Sequence, residues 1–74
     1  MANLSLNPKK LMRSKWTAVT PQNKEKHFLV IEVITPEDGS PIRQIVLEAI
    51  LTKRTWTMDW EQLEDTSRWI QGWR

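Results

Sequence analysis

"DWEQLEDTSRWIQGW", residues 59–73, is the stretch on which the fold of this chain turns. Read as a helix, it makes the protein α+β; read otherwise, it leaves mainly strand-forming segments. Asp59 followed three residues later by Gln62 has the spacing of a capping box, and Asp65 offers a second N-cap. Trp60 and Leu63 lie one helical turn apart, and Trp69 and Trp73 are again neighbours on a helical face. Gly72 supplies a stop. These signals predict one bent helix or two short ones between about 59 and 71, with an apolar face to lay on a sheet.

The preceding segments supply that sheet. "HFLVIEVIT" (27–35) is rich in β-branched residues, with Leu29, Ile31 and Val33 on one face and Phe28, Val30, Glu32 and Ile34 on the other. Both faces are mostly apolar, which predicts a central strand. Beyond the turn cluster "PEDGSP", the run "IRQIVLEAILTKR" places Ile45, Leu47, Ala49 and Leu51 on one strand face. Ile42, Ile45, Val46, Ala49 and Ile50 also fit a helical period, so a helix competes there. Flanking turns and β-branched content favour a strand antiparallel to the one before. "KWTAVT" (15–20) and the alternating "TWTM" (55–58) add strands, Asn7 and Pro8 start a short helix at about 8–13, and "TPQNKEK" is expected to be a polar loop. The predicted fold is α+β: a three- or four-stranded antiparallel meander with the C-terminal helix packed on the sheet. A small SH3-like barrel cut from five short strands is the alternative.

At 74 residues there is room for a single small domain, with residues 1–6 expected to be flexible. There is no cysteine to staple it, which suits a reducing compartment. Five tryptophans stand beside one phenylalanine and no tyrosine. Each indole buries about 150–250 Å², so a core without staples needs most of them inside. The opening "MANLSLNPKK" lacks a signal-peptide apolar stretch, and "FLVIEVI" is far short of the roughly 20 residues of a membrane span. A soluble, cytoplasmic chain with no membrane partner is expected.

Net charge is only +2, but residues 1–27 hold six Lys/Arg against one acid, whereas residues 28–74 hold five against eight. Such asymmetry attracts polyanions or holds two segments of one fold together. Catalysis is not expected: one histidine, two glycines and no cysteine give no nucleophile–base pair, phosphate loop or zinc spacing. No cofactor or metal is implied, and the carboxylates Asp59, Glu61, Glu64 and Asp65 fit ordinary capping work.

The binding candidates are the cations Lys15, Lys24, Lys26, Lys53 and Arg54, with Trp16 or His27 beside them. Antiparallel pairing brings the 20–26 and 52–55 segments to one end of the sheet. Lysines following phosphates while an aromatic ring stacks on a base is how single-stranded nucleic acid is held without sequence preference. A solvated lysine rim that blocks edge pairing is the competing explanation. Weak nucleic-acid binding is therefore the leading expectation. A protein-interaction module, self-associating or not, that presents Trp69, Trp73 or a sheet edge is the other.

Residues "LNPKKLMRSKWTAVTPQNKEKHFLV", "VLEAILTKR" and "WEQLEDTSRWIQGW" together resemble a family of small tryptophan-rich bacterial proteins of unknown function. The most specific pieces are "SKWTAV", "KEKHF", "TKR" and the closing "W…GW". The resemblance spans about Leu6 to Trp73. It implies a bacterial, stand-alone domain and carries over no activity, cofactor or catalytic residue.

Overall fold

The computed structural model describes residues 6–74, so the expected flexibility of residues 1–5 lies outside the described residues. Five strands, β1 (Lys15–Gln22), β2 (Glu25–Ile34), β3 (Gln44–Ala49), β4 (Thr55–Asp59) and β5 (Trp69–Gln71), form one antiparallel sheet in the order β4-β3-β2-β1-β5. The sheet is open, and the molecule is only 15 Å through its thinnest dimension. That is one sheet with a thin cover on one face, not a closed barrel.

The expected α+β class is thus corrected to all-β. Residues 59–73 form a short 3-10 turn, Trp60–Glu64, and then a strand. Two local interactions explain the difference. Asp59 makes no side-chain capping bond, so the capping box is not assembled. Asp65 instead accepts the Ser67 N–H at 3.0 Å and its hydroxyl at 2.6 Å, a local turn that competes with helix. The chain is turned into register with β1, where Ala18 faces Trp69 and Trp16 faces Gln71. Only Leu63 of the 3-10 turn is buried, and it plugs the turn into the core.

At the N-terminal end the Asn7 side chain accepts from the Lys9 N–H as expected, but the turn covers only Pro8–Lys10. Arg13 adopts a left-handed φ of 67° and donates its N–H to the Val30 carbonyl, which starts the pairing of β1 with β2. Leu11 drops into the core, and the Leu6 N–H reaches the Glu64 carboxylate at 3.0 Å. The N-terminal segment and the 3-10 turn therefore share the covering of one sheet face.

"TPQNKEK" is not a loop. β1 and β2 run through it and turn on Asn23 and Lys24, whose φ values of 54° and 62° are those of a two-residue hairpin turn of type I′. Within β2 a bulge at Ile31 shifts the β3 register between Val30 and Glu32. The extra residue reverses the alternation, so that Phe28 and Val30 and then Val33 all pack on the core side. The buried core is Leu11, Trp16, Phe28, Val30, Ile45, Leu47, Ala49 and Leu63. Leu51, expected on that face, lies past the end of β3 and is 67 % exposed. Among the described residues no helix is long and apolar enough to cross a membrane.

Candidate nucleic-acid interface

Because β2 and β3 are antiparallel, with Phe28 opposite Ala49, the turn before β2 and the turn after β3 lie at the same end of the sheet. Glu25 ties them together. Its carboxylate is 5 % exposed, accepts the Thr52 hydroxyl, and stands 3.6 Å from the Arg54 guanidinium. Lys24 and Lys53 occupy left-handed positions in the two turns, with φ of 62° and 65°, and Lys26 is exposed beside Glu25. The structure thus brings Lys24, Lys26, Lys53 and Arg54 to one pole.

His27 follows Lys26 at the same end of β2, its carbonyl bonded to the Ile50 N–H at 2.9 Å, whereas Lys15 and Trp16 lie elsewhere. Lys15 faces Leu29, four residues farther along β2 than Glu25, which is about 13 Å at strand rise. Its ammonium sits 4.7 Å from the ring centroid of Trp73. Trp16 is 0 % exposed, and its indole N–H is bonded to the Ser14 hydroxyl at 2.9 Å. A base has no face of that ring to stack on, so Trp16 is a core residue and not the stacking platform expected from the sequence. His27 is half-buried, 6.1 Å from the Trp73 ring.

Trp69 and Trp73, expected to be neighbours on a helix, are on opposite faces of the sheet. Period-two alternation in β5 puts Trp69 on the core face beside Ala18, while Gly72, at φ 89°, swings Trp73 over Lys15 and His27. The Trp73 indole N–H donates to the Phe28 carbonyl at 2.9 Å, and the Thr17 hydroxyl donates to the Gly72 carbonyl at 2.7 Å. They form no joint patch.

The concave feature beside the basic pole is a groove of about 600 Å³ on the core face, where the cover ends. Phe28 and Leu47 form its floor, and Trp56 and Trp69 stand on either side. The ring centroids of Trp56 and Trp69 lie 5.7 and 5.2 Å from that of Phe28, the latter edge-on. Arg54 lies over Trp56 at 5.0 Å, Arg68 lines the other side, and Glu25 is the only acid among the lining residues. The wall carrying Arg68 and Trp69 is set by the Asp65 turn: both their N–H groups donate to the Asp65 carbonyl, and the Val19 N–H bonds to the Arg68 carbonyl at 2.9 Å. The hydroxyl and backbone hydrogen bonds of Ser67 hold the Asp65 carboxyl below its ordinary pKa.

Trp56, Arg68 and Phe28 were not among the sequence candidates. Alternation in "TWTM" was the available signal for Trp56, because pairing of Leu47 with Trp56 and Ile45 with Met58 puts both on the core face. Nothing in the sequence placed Arg68 there, since that required residues 65–69 to be a turn.

The family model described as tryptophan-rich protein (DUF2389) matches residues 14–74, and the chain belongs to that family. Comparison with curated proteins and with solved structures returned no match.

Proposed function

We propose that this member of the tryptophan-rich family is a non-enzymatic module that binds single-stranded nucleic acid in the groove, weakly and largely without sequence preference. Trp56 and Trp69 stack against bases. Arg54 and Arg68, with Lys24, Lys26 and Lys53 of the adjoining pole, neutralise phosphates. One observation carries the reading: two partly exposed indoles and two guanidinium groups line one groove whose single carboxylate is already occupied by Thr52 and Arg54. Aromatic rings on an open sheet face are a known platform for unstacked bases, and stacking contributes about 1–3 kcal/mol per base. The groove lies within the range of about 300–1,000 Å³ that holds small ligands. It takes a base or two, not a duplex.

Fluorescence anisotropy of a labelled oligothymidylate, titrated with protein at several salt concentrations, tests the proposal. Affinity should fall with a slope of about −0.7 per phosphate neutralised on a log–log plot. Absence of binding at low salt, or affinity indifferent to salt, would refute it.

A second reading belongs to the opposite face, where Val19 (43 %), Ile70 (38 %) and Trp73 (43 %) are exposed large apolar residues. Such a patch suits a protein partner. Shifts of Ile70 and Trp73 amides on adding partner, with the groove unmoved, would favour it.

A further inference from the structure

Among the described residues no strand pairs with the outer side of β4, and the chemistry of that edge is self-complementary. On its inner side the Ala49 N–H donates to the Arg54 carbonyl at 2.9 Å, and the Trp60 N–H donates to the Arg43 carbonyl at 3.2 Å. These bonds fix the alternation: residues 54, 56, 58 and 60 turn their backbone groups toward β3, so Thr55, Thr57 and Asp59 direct theirs outward. Protein edges are commonly blunted by lysine, proline, a bulge or shortness. The other outer strand, β5, is three residues long and is followed at once by Gly72. β4 has none of these devices. "TWTMD" contains no lysine or proline, and its register with β3 runs without a shift from Thr55 to Asp59.

Charge decides the direction of pairing. Lys53 and Arg54 precede the strand, and Asp59 closes it with Glu61 just beyond. Two copies laid antiparallel set the positive start of one against the negative end of the other, whereas a parallel arrangement opposes like charges. Side chains fit the same direction. With the two-fold axis at Thr57, Thr57 meets its own copy, Thr55 meets Asp59, and Trp56 meets Met58. Threonine pairs and aromatic–sulfur contacts are both favourable across strands. All three outward-directed residues then fall in hydrogen-bonded pairs, about six inter-copy bonds in all.

We infer that β4 is a self-recognition edge, at which two copies pair antiparallel about Thr57 and continue one sheet across both. Trp56 and Met58 of each copy are on the groove side, so the two grooves open on the same face. A single edge pairing buries little beside the roughly 1,200 Å² of a stable interface. The dimer is therefore weak, concentration-dependent and rapidly exchanging.

Sedimentation equilibrium of the full chain from micromolar to millimolar concentration reads this directly. The mass should rise from 8.8 kDa toward twice that value, and the amides of Thr55, Thr57 and Asp59 should gain protection from exchange as concentration rises. Thr57→Lys should hold the chain at the monomer mass at every concentration. Thr57→Pro should do the same, since only an outward N–H is removed. Because the chain has no cysteine, Thr57→Cys gives a readout that needs no loss of function. That variant should cross-link with a short bis-maleimide many-fold faster than Ile70→Cys on the opposite edge. A constant monomer mass, equal cross-linking at the two positions, or a dimer that survives Thr57→Lys would each overturn the inference.

Discussion

Replacing Glu25 by glutamine should move stability and nucleic-acid affinity in opposite directions. The glutamine keeps the volume of a side chain that is 5 % exposed and still accepts the Thr52 hydroxyl. What is lost is charge. A hydrogen bond to a charged acceptor contributes about 1.5–3 kcal/mol, and a neutral one about 1, so the change costs roughly 1 kcal/mol. The Arg54 ion pair, at 3.6 Å and with that arginine 56 % exposed, adds only about 0–1 kcal/mol after solvent screening. A total of about 1–2 kcal/mol is a substantial share of the stability of so small a domain and corresponds to a fall in Tm of about 5–15 °C. Urea unfolding followed by tryptophan fluorescence measures it. The groove, meanwhile, loses its only carboxylate while Arg54 and Arg68 remain. Affinity for a short single strand at low salt should rise several-fold, and the salt slope should steepen by up to about 0.7 as Arg54 becomes available to a phosphate. Unchanged stability together with weaker binding would refute the reasoning, because Glu25 would then be contacting ligand and not joining the two turns.

Four further outcomes are expected. Trp56→Ala and Trp69→Ala should each leave the chain folded by circular dichroism but weaken oligonucleotide binding by about 1–3 kcal/mol, whereas Trp16→Ala, at a 0 % exposed site, should cost about 3–5 kcal/mol of stability. Leu63→Ala removes the residue that anchors the 3-10 turn and should cost about 2–5 kcal/mol in urea unfolding; a smaller loss would mean that the turn is not held by that side chain. Lys24→Gly relieves a left-handed lysine at φ 62° and should stabilise the hairpin by up to about 1 kcal/mol while lowering affinity for the single strand, separable by thermal unfolding and anisotropy. The Asp65 carboxyl is held low by Ser67, so its contribution to the 65–68 turn is complete above the unfolded value of about 3.9 and is lost as pH falls through the lower folded value; Ser67→Ala should flatten acid-induced shifts of the Arg68 and Trp69 amides.

Strands β2, β3 and β4 were legible because β-branched alternation and flanking turns are local signals. Residues 42–54 fitted both periods, and only pairing with β2 on one side and β4 on the other resolves them as a strand. Two features were beyond a local reading. The bulge at Ile31 changes which face Val33 occupies, and no residue type announces it. The stretch 59–73 satisfies helical spacing in sequence, yet the Asp65–Ser67 turn and the open edge of β1 offer its backbone other partners. The basic pole follows from antiparallel connectivity, so Lys24, Lys26, Lys53 and Arg54 were within reach of the sequence. The aromatic groove was not, because Trp69 becomes a wall only if residues 69–71 are a strand.

The five indole N–H signals in a two-dimensional nitrogen–proton spectrum report on the groove and on its surroundings in one titration. On adding a short single-stranded oligonucleotide at low salt, the Trp56 and Trp69 signals should shift progressively. Those of Trp16, bonded to Ser14, and Trp60, bonded to the Ile42 carbonyl at 2.8 Å, should stay in place. An unmoved pair at Trp56 and Trp69, or shifts confined to Trp73 on the opposite face, would contradict the account.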